Sequence, residues 1–258
     1  MPTATCEVSG HLAHIRLNRP AEGNRLTMEM LALIGQIFTE IEADPNIRCT
    51  LLTANGDHFS VGADLPDVFP NWAAGRFPID GDQVNPWGVT GRRRRKPLLS
   101  VVHGQCNSGG LELALASDIC IAADDARFAF EEVRFGIFPF AGSVFRMIRA
   151  GGWGNAMRYV LTSAAFGAED ALRMNVVALL RPKPEAEATG IALARQISNA
   201  APLAVQAVMA QAHTFADQGE AAAIALSVPT MLRLLNSRDV AEVARAMAEG
   251  RSPAFSGQ

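Results

Sequence analysis

Residues 103–112 read HGQCNSGGLE, and the rest of the chain can be interpreted outward from this stretch. The apolar run at 98–102 before it predicts a buried strand, and residues 111–116 after it predict a helix. Its three glycines allow a sharp turn and let another molecule come close to the main chain. The first amides of a helix lack internal partners and lie at the positive end of its dipole. This corner is therefore suited to holding developing negative charge, with Glu112 inside the helix that follows.

Two familiar glycine motifs do not fit this corner. Gly104 and Gly109 have the spacing of a nucleotide-binding P-loop, but glycine and leucine follow where lysine and serine or threonine are needed. A nucleophile elbow needs glycine two residues before its serine, and Cys106 stands two residues before Ser108. We therefore interpret the corner as a donor of backbone N–H groups.

The composition predicts an ordinary globular protein. With 258 residues, 49% apolar and 19% charged, the chain can form one large domain, or one domain with an appendage. A net charge of −3 gives no electrostatic argument for nucleic acid or a membrane as the main partner. The four cysteines form no CxxC pair, and we find neither a signal peptide nor a membrane-spanning run, so a cytoplasmic location is expected. The five histidines lack the spacing of metal ligands, and no metal site is expected.

The hydrophobic pattern changes along the chain. Strand and helix patterns alternate over the first part, beginning with a hairpin at 7–17, a helix at 27–43 and a strand at 49–54. From residue 184 onward the pattern is helical throughout. This shift predicts a mixed α/β core over 1–195 and a C-terminal helical region over 196–258.

A second glycine-containing corner, FSVGADL at 59–65, resembles the first. Two such corners could present backbone N–H groups to one point. An ordinary strand-to-helix turn, with Asp64 as a first-turn acid, is the alternative.

Two further segments allow two interpretations each. Residues 66–95 show little periodicity, and their aromatic residues indicate a lid or a pocket wall, or else a surface excursion. The basic run at 92–96 is interpreted as a solvated helix end before Pro97, or as a contact for the phosphates of a ligand or nucleic acid.

With these segments in hand, the chain resembles the crotonase (enoyl-CoA hydratase/isomerase) superfamily along nearly its whole length. FSVGADL and GQCNSGGLELALASDICIAA resemble its two oxyanion segments, and RFAFEEVRFGIFPFAGSVFRM resembles the segment with the second catalytic carboxylate. LNRPAEGNRL resembles its CoA-contacting turn, and LTSAAFGAEDALRMNVV the segment after the core. The resemblance implies an α/β fold, a crotonase-like spiral of ββα units with a C-terminal helical trimerisation region. It also implies a homotrimer or a hexamer.

Carried over residue by residue, the resemblance assigns roles within these motifs. It makes Ala63 and Gly109 the N–H donors to a thioester oxygen, and Glu112 and Glu132 the two catalytic glutamates. The residues implied in substrate binding are Glu22, Val61 (near the adenine), Asp64, Leu65, Phe140 and Phe255.

These residue types suit the addition of water to a 2-enoyl thioester. Negative charge then develops on the thioester oxygen, and two carboxyl groups that share one water can exchange the two protons. Its position at a helix N-terminus predicts that Glu112 keeps its charge better and acts as the base, with Glu132 as the acid. Taken singly, Glu112 could be a first-turn acid and Glu132 a surface acid, with Glu131 facing inward.

The chain departs from the family pattern at several positions. Phe140 follows Pro139 where glycine is usual, Asn107-Ser108 replace an apolar-glycine pair, Ala21-Glu22 replace a basic-small pair, and Ser256 replaces a lysine. The predicted function is an enoyl-CoA hydratase of fatty acid metabolism without metal or redox cofactor, since coenzyme A is part of the acyl-CoA substrate. The alternatives are an enoyl-CoA isomerase, a thioester hydrolase, or a non-catalytic CoA- or RNA-binding scaffold.

Overall fold

The computed structural model describes residues 1–78 and 81–258, and its larger sheet has six strands. The strands are β1 (Ala4–Ser9), β2 (Leu12–Leu17), β3 (Cys49–Ala54), β4 (Leu98–Val102), β6 (Ile119–Ala123) and β9 (Leu179–Arg181). Their spatial order is β1-β2-β3-β4-β6-β9; β1 and β2 form the expected antiparallel hairpin, and the other pairs are parallel.

A second, three-stranded sheet lies beside the first. Its strands are β5 (Gln105–Asn107), β7 (Arg127–Ala129) and β8 (Phe166–Gly167), in the order β5-β7-β8. The chain passes from β4 to β5 and again from β6 to β7, so successive turns place one strand in each sheet. A bridge between Ser60 and Cys106 adds the 59–65 corner to this second sheet. The spiral of ββα units expected from the sequence is confirmed.

Helices occupy both faces of the larger sheet and the C-terminal part. They are α1 (Met28–Ala43), α2 (Leu65–Ala73), α3 (Gly109–Leu115), α4 (Ser143–Thr162), α5 (Ala168–Arg173), α6 (Lys183–Ser198), α7 (Pro202–Gln218), α8 (Glu220–Leu235) and α9 (Arg238–Glu249). The Thr27 hydroxyl caps α1 by accepting the N–H of Met30, as its sequence indicates. Across residues 1–78 and 81–258, no helix is both long and apolar enough to span a bilayer.

The apolar core has two layers because the central strands are apolar on both faces. Leu98 and Val102 face the larger cluster, and Leu99 and Val101 face a smaller one beneath α6. A Cβ at Gly190 of α6 would meet a Val101 methyl carbon at 2.3 Å, so glycine allows the close approach of helix and sheet. Residue 195 therefore lies inside a helix packed on the sheet, and the division at 195 stays a prediction.

Segment 66–95 is more regular at its start than predicted. Residues 65–73 form α2, with Pro66 in its first turn, where a missing N–H costs nothing. Two prolines and no clear periodicity concealed this helix. Ile79 and Asp80 of the same segment lie outside the described residues.

The basic run does not form the predicted helix end. Arg93 pairs with Asp217 and Arg94 with Asp118, while Arg95 pairs with Glu42. The buried Lys96 ammonium donates to the carbonyl oxygens of Ile41 and Asp44, at the end of α1. The charges at 93–96 therefore join separate parts of the chain.

Candidate active site

The two glycine corners meet at one cavity of about 550 Å³. The Leu26 N–H donates to the Gly62 carbonyl and the Asp64 N–H to the Leu26 carbonyl, both at 2.9 Å, which fixes the first corner. Gly62 has φ +104°, and a Cβ there would lie 3.2 Å from the Ser108 Cβ. The corners approach this closely because position 62 has no side chain.

Ala63 and Gly109, each of which has a backbone amide, both line this cavity. Within the described residues, neither amide donates a hydrogen bond to another group of the chain. Unpaired amides at a helix start and in a turn can receive an anionic oxygen. The structure thus brings together the two positions that the sequence singled out.

Glu112 projects from the first turn of α3 into the same cavity and is only 2% exposed. Its Oε1 accepts the Ser143 hydroxyl at 3.1 Å and the Ser143 N–H at 3.4 Å, at the start of α4. Burial, and then the charge of Glu132, raise the pKa of Glu112 to about 8. The Ser143 hydrogen bonds oppose this rise without cancelling it.

Glu132 also lines the cavity, from a short 3₁₀ helix at Glu132–Phe135, and is 7% exposed. Burial also raises the pKa of this carboxyl, against hydrogen bonds that include one from the Ser108 hydroxyl. Its Oε2 is buried and has no hydrogen-bond partner among the described residues. Glu131 lines the cavity as well, but it is half-buried.

The expectation that a helix N-terminus keeps Glu112 ionised is wrong for this structure. Removal of the carboxyl from water outweighs the favourable dipole and the two Ser143 donors. Because the two carboxyls interact, their protons belong to the pair. The cavity therefore holds a coupled carboxyl pair.

Aromatic side chains form one wall of the cavity. Trp72 and Trp87 both line it, so segment 66–95 supplies pocket wall, one of its two interpretations. The Phe140 ring packs edge-on against both, with centroids 5.1 Å from Trp72 and 5.8 Å from Trp87. Phe140 therefore takes up space that the usual glycine would leave open.

The residues implied in substrate binding divide into two groups. Val61, Leu65 and Phe140 line the cavity. Glu22 is exposed outside it, Asp64 pairs with Arg19 at 3.6 Å, and the Phe255 carbonyl accepts a hydrogen bond from Arg48 at 2.8 Å. The roles of these last three residues stay predictions.

Sequence reasoning missed other groups at the cavity. Arg25 lines it as an exposed cation, and its only signal was its place in the LNRPAEGNRL turn. Ser143 had no signal, because its contact with Glu112 joins residues 31 positions apart. The Trp87 indole N–H, which donates to the Gly109 carbonyl at 3.0 Å, likewise depends on a tertiary contact.

The sequence and the fold match a family of known proteins. The family model described as enoyl-CoA hydratase/isomerase matches residues 7–258. An enoyl-CoA hydratase of Mycobacterium tuberculosis, EchA19, is 32% identical over 98% of this chain and 96% of its own length. An (E)-benzylidenesuccinyl-CoA hydratase of Thauera aromatica is 33% identical over 98% of each. A crystal structure from Mycobacterium abscessus, described as a probable enoyl-CoA hydratase/isomerase, has a TM-score of 0.95 and 39% identity over 99% of both chains.

The chain belongs to the enoyl-CoA hydratase/isomerase family. The expected superfamily, fold and hydratase class of enzyme are thereby confirmed.

Proposed function

We propose that this protein adds water across the 2,3 double bond of an enoyl-CoA, and that Ala63, Gly109, Glu112 and Glu132 act as set out below. The observation that carries the proposal is the convergence on one cavity of two buried carboxyls and two amides that have no partner in residues 1–78 and 81–258. Each group corresponds to one requirement of the reaction.

The thioester oxygen binds between the N–H groups of Ala63 and Gly109. Charge that moves onto this oxygen as water attacks is stabilised by donors already fixed in place. Removal of one such donor costs about 2.7–4 kcal/mol in a comparable oxyanion hole. The donors are main-chain groups, so small residues at 63 and 109 serve the site by leaving them accessible.

The carboxyl pair moves the protons. One proton is shared between Glu112 and Glu132. The ionised carboxyl takes a proton from water while the water oxygen bonds to C3. The electrons of the double bond move onto the thioester oxygen, and the protonated carboxyl then delivers its proton to C2 as the carbonyl re-forms. The raised pKa of both carboxyls supports this sharing, because burial makes it costly for both to be ionised at once.

The acyl group is proposed to end in an aromatic ring or an equally bulky apolar group. One wall of the cavity presents the aromatic rings of Trp72, Trp87 and Phe140. A substrate ring packed against them would be stabilised by more than the burial of its apolar area, as aromatic pairs are. Coenzyme A enters as part of the substrate, with Val61 and the exposed Arg25 at the cavity as contacts for its nucleotide end. No separate cofactor is needed.

The test is turnover of crotonyl-CoA and cinnamoyl-CoA, followed by mass analysis of the product. Hydration adds the mass of one water, isomerisation leaves the mass unchanged, and hydrolysis releases free coenzyme A. Glu112→Gln and Glu132→Gln are expected to lower kcat by at least a hundredfold, with the half-buried neighbour Glu131→Gln as the matched control. Unchanged turnover in both variants would exclude the carboxyl mechanism.

We also propose a cytoplasmic homotrimer or hexamer. Helix α8 exposes Ile224, Val228, Met231 and Leu232 in this single chain, which supports burial of that face against other copies. Sedimentation analysis distinguishes the assemblies, and a monomer at micromolar concentration would exclude both.

A further inference from the structure

Ser108, the residue before the Gly109 corner, has a backbone conformation that glycine adopts far more readily. Its φ of +48° and ψ of −124° match the first central position of a type II′ turn. A side chain there is strained, and such strain persists only where the surroundings hold the residue in place. We therefore expect the serine side chain to make contacts that offset this strain.

The contacts of Ser108 connect the two glutamates. Its Oγ accepts the N–H of Glu131 at 3.1 Å, at the turn that leads into Glu132, and its hydroxyl lowers the pKa of the Glu132 carboxyl. Its carbonyl oxygen accepts the N–H of Glu112 at 2.9 Å, in the first turn of α3. Its own N–H donates to the Ala129 carbonyl at 2.8 Å, at the end of β7.

Glycine at this position would adopt the same backbone conformation, but it would leave the Glu131 N–H without its acceptor. The two main-chain hydrogen bonds of Ser108 need no side chain, whereas the bond to the Glu131 N–H exists only through Oγ. The 3₁₀ helix that carries Glu132 starts at this point, and its N-cap residue Glu131 makes no side-chain cap of its own. Ser108 thus supplies, from another part of the chain, the acceptor that this helix start lacks.

We propose that Ser108 is a positioning residue for the hydration reaction: its hydroxyl holds the Glu132 turn against the oxyanion corner, so that both carboxyls face the same water. This inference rests on the proposed function. Ser108 holds the turn that carries the carboxyl and does not act on the reacting atoms, so it acts through Glu132.

The test compares Ser108→Gly with Ser108→Ala. Both remove the hydroxyl, but glycine relieves the backbone strain and alanine keeps it. Both are expected to lose about tenfold in kcat with little change in KM. The limb of the pH profile that Glu132 governs should move to higher pH, because loss of a donor to a carboxylate raises its pKa. Ser108→Gly should unfold at the same temperature as the parent or a higher one.

Asn175→Gly is the matched control, because Asn175 also has a positive φ, +57°, but lies outside the cavity. It should leave kcat and the pH profile unchanged. If Ser108→Gly has the same kcat and the same pH profile as the parent protein, the proposal is overturned and Ser108 has a structural role only. If Ser108→Ala fails to fold, Ser108→Gly alone decides the question.

A titration separates this inference from the proposed function. Carboxyl ¹³C resonances of glutamate-labelled protein, with Glu132 assigned through Glu132→Gln, report the pKa of Glu132 without any turnover. A parent that hydrates no enoyl-CoA would end the proposed function. An unchanged Glu132 titration in Ser108→Gly would end the inference about Ser108.

Discussion

The indole Nε1 of Trp87 donates a hydrogen bond to the carbonyl oxygen of Gly109 at 3.0 Å. Trp87 comes from the aperiodic segment before the basic run, and its own carbonyl accepts the Arg146 guanidinium at 2.6 Å. The peptide group between Gly109 and Gly110 is therefore held in place by Trp87, which lies outside α3. The indole fixes the direction of the corner and also forms part of the cavity wall.

Trp87→Phe tests this support. A smaller aromatic ring remains while the hydrogen bond is lost, so we expect the free energy of unfolding to fall by about 1–2 kcal/mol, because a buried hydrogen bond is removed. We expect kcat for enoyl-CoA hydration to fall about tenfold. Denaturant unfolding and steady-state kinetics measure the two effects. Trp153→Phe, at an exposed site, is the control and should change neither.

The raised pKa of Glu112 makes stability depend on pH. Its folded pKa of about 8 exceeds the ordinary value of 4.5, so the native state binds the proton more tightly than the unfolded state. The resulting stabilisation is complete below about pH 4.5 and is lost as pH rises towards 8. Glu112→Gln removes this dependence and should be more stable than the parent above pH 8. The difference in the free energy of unfolding should be a few kcal/mol, because each unit of pKa shift corresponds to about 1.4 kcal/mol. Parallel unfolding curves for the two proteins from pH 5 to 8.5 would contradict the assignment.

Phe140 is expected to limit the size of the acyl group. Phe140→Ala opens the wall beside Trp72 and Trp87, and the ratio of kcat/KM for cinnamoyl-CoA to that for crotonyl-CoA should change at least tenfold. Phe138→Ala is the matched control, since Phe138 lies two residues away and is 64% exposed. An equal response of the two variants would show that the Phe140 ring does not select the substrate.

Arg94 is expected to stabilise the fold. It donates to the carbonyl of Ala116 at 2.7 Å and pairs with Asp118 at 3.2 Å, with its side chain 13% exposed. Arg94→Ala should lower the free energy of unfolding by about 2–3 kcal/mol, because hydrogen bonds to a charged group are lost. Arg93→Ala, whose ion pair with Asp217 is exposed, should have no measurable effect. Salt-dependent RNA binding that both variants abolish would instead support the scaffold alternative.

Local patterns in the sequence predicted much of this protein. The alternation of apolar runs and glycine turns predicted β3 and β4 at their observed bounds, and the Thr27 cap predicted the start of α1. The two corners and the two glutamates lie in short motifs, and these were found because backbone donors and paired acids need few residue types. Their convergence on one cavity followed from the family resemblance.

The environment of those groups depends on long-range packing. Helix dipoles can be read from the sequence and favoured an ionised Glu112, but desolvation depends on everything packed around the carboxyl and reversed that expectation. The contacts from Ser143 and Trp87 join residues far apart in the chain, and the strained Ser108 shows its purpose only beside the Glu132 turn. Local sequence motifs were enough to identify which groups could do the chemistry. Burial and long-range hydrogen bonds decided how each group holds its proton, because both are properties of the folded chain.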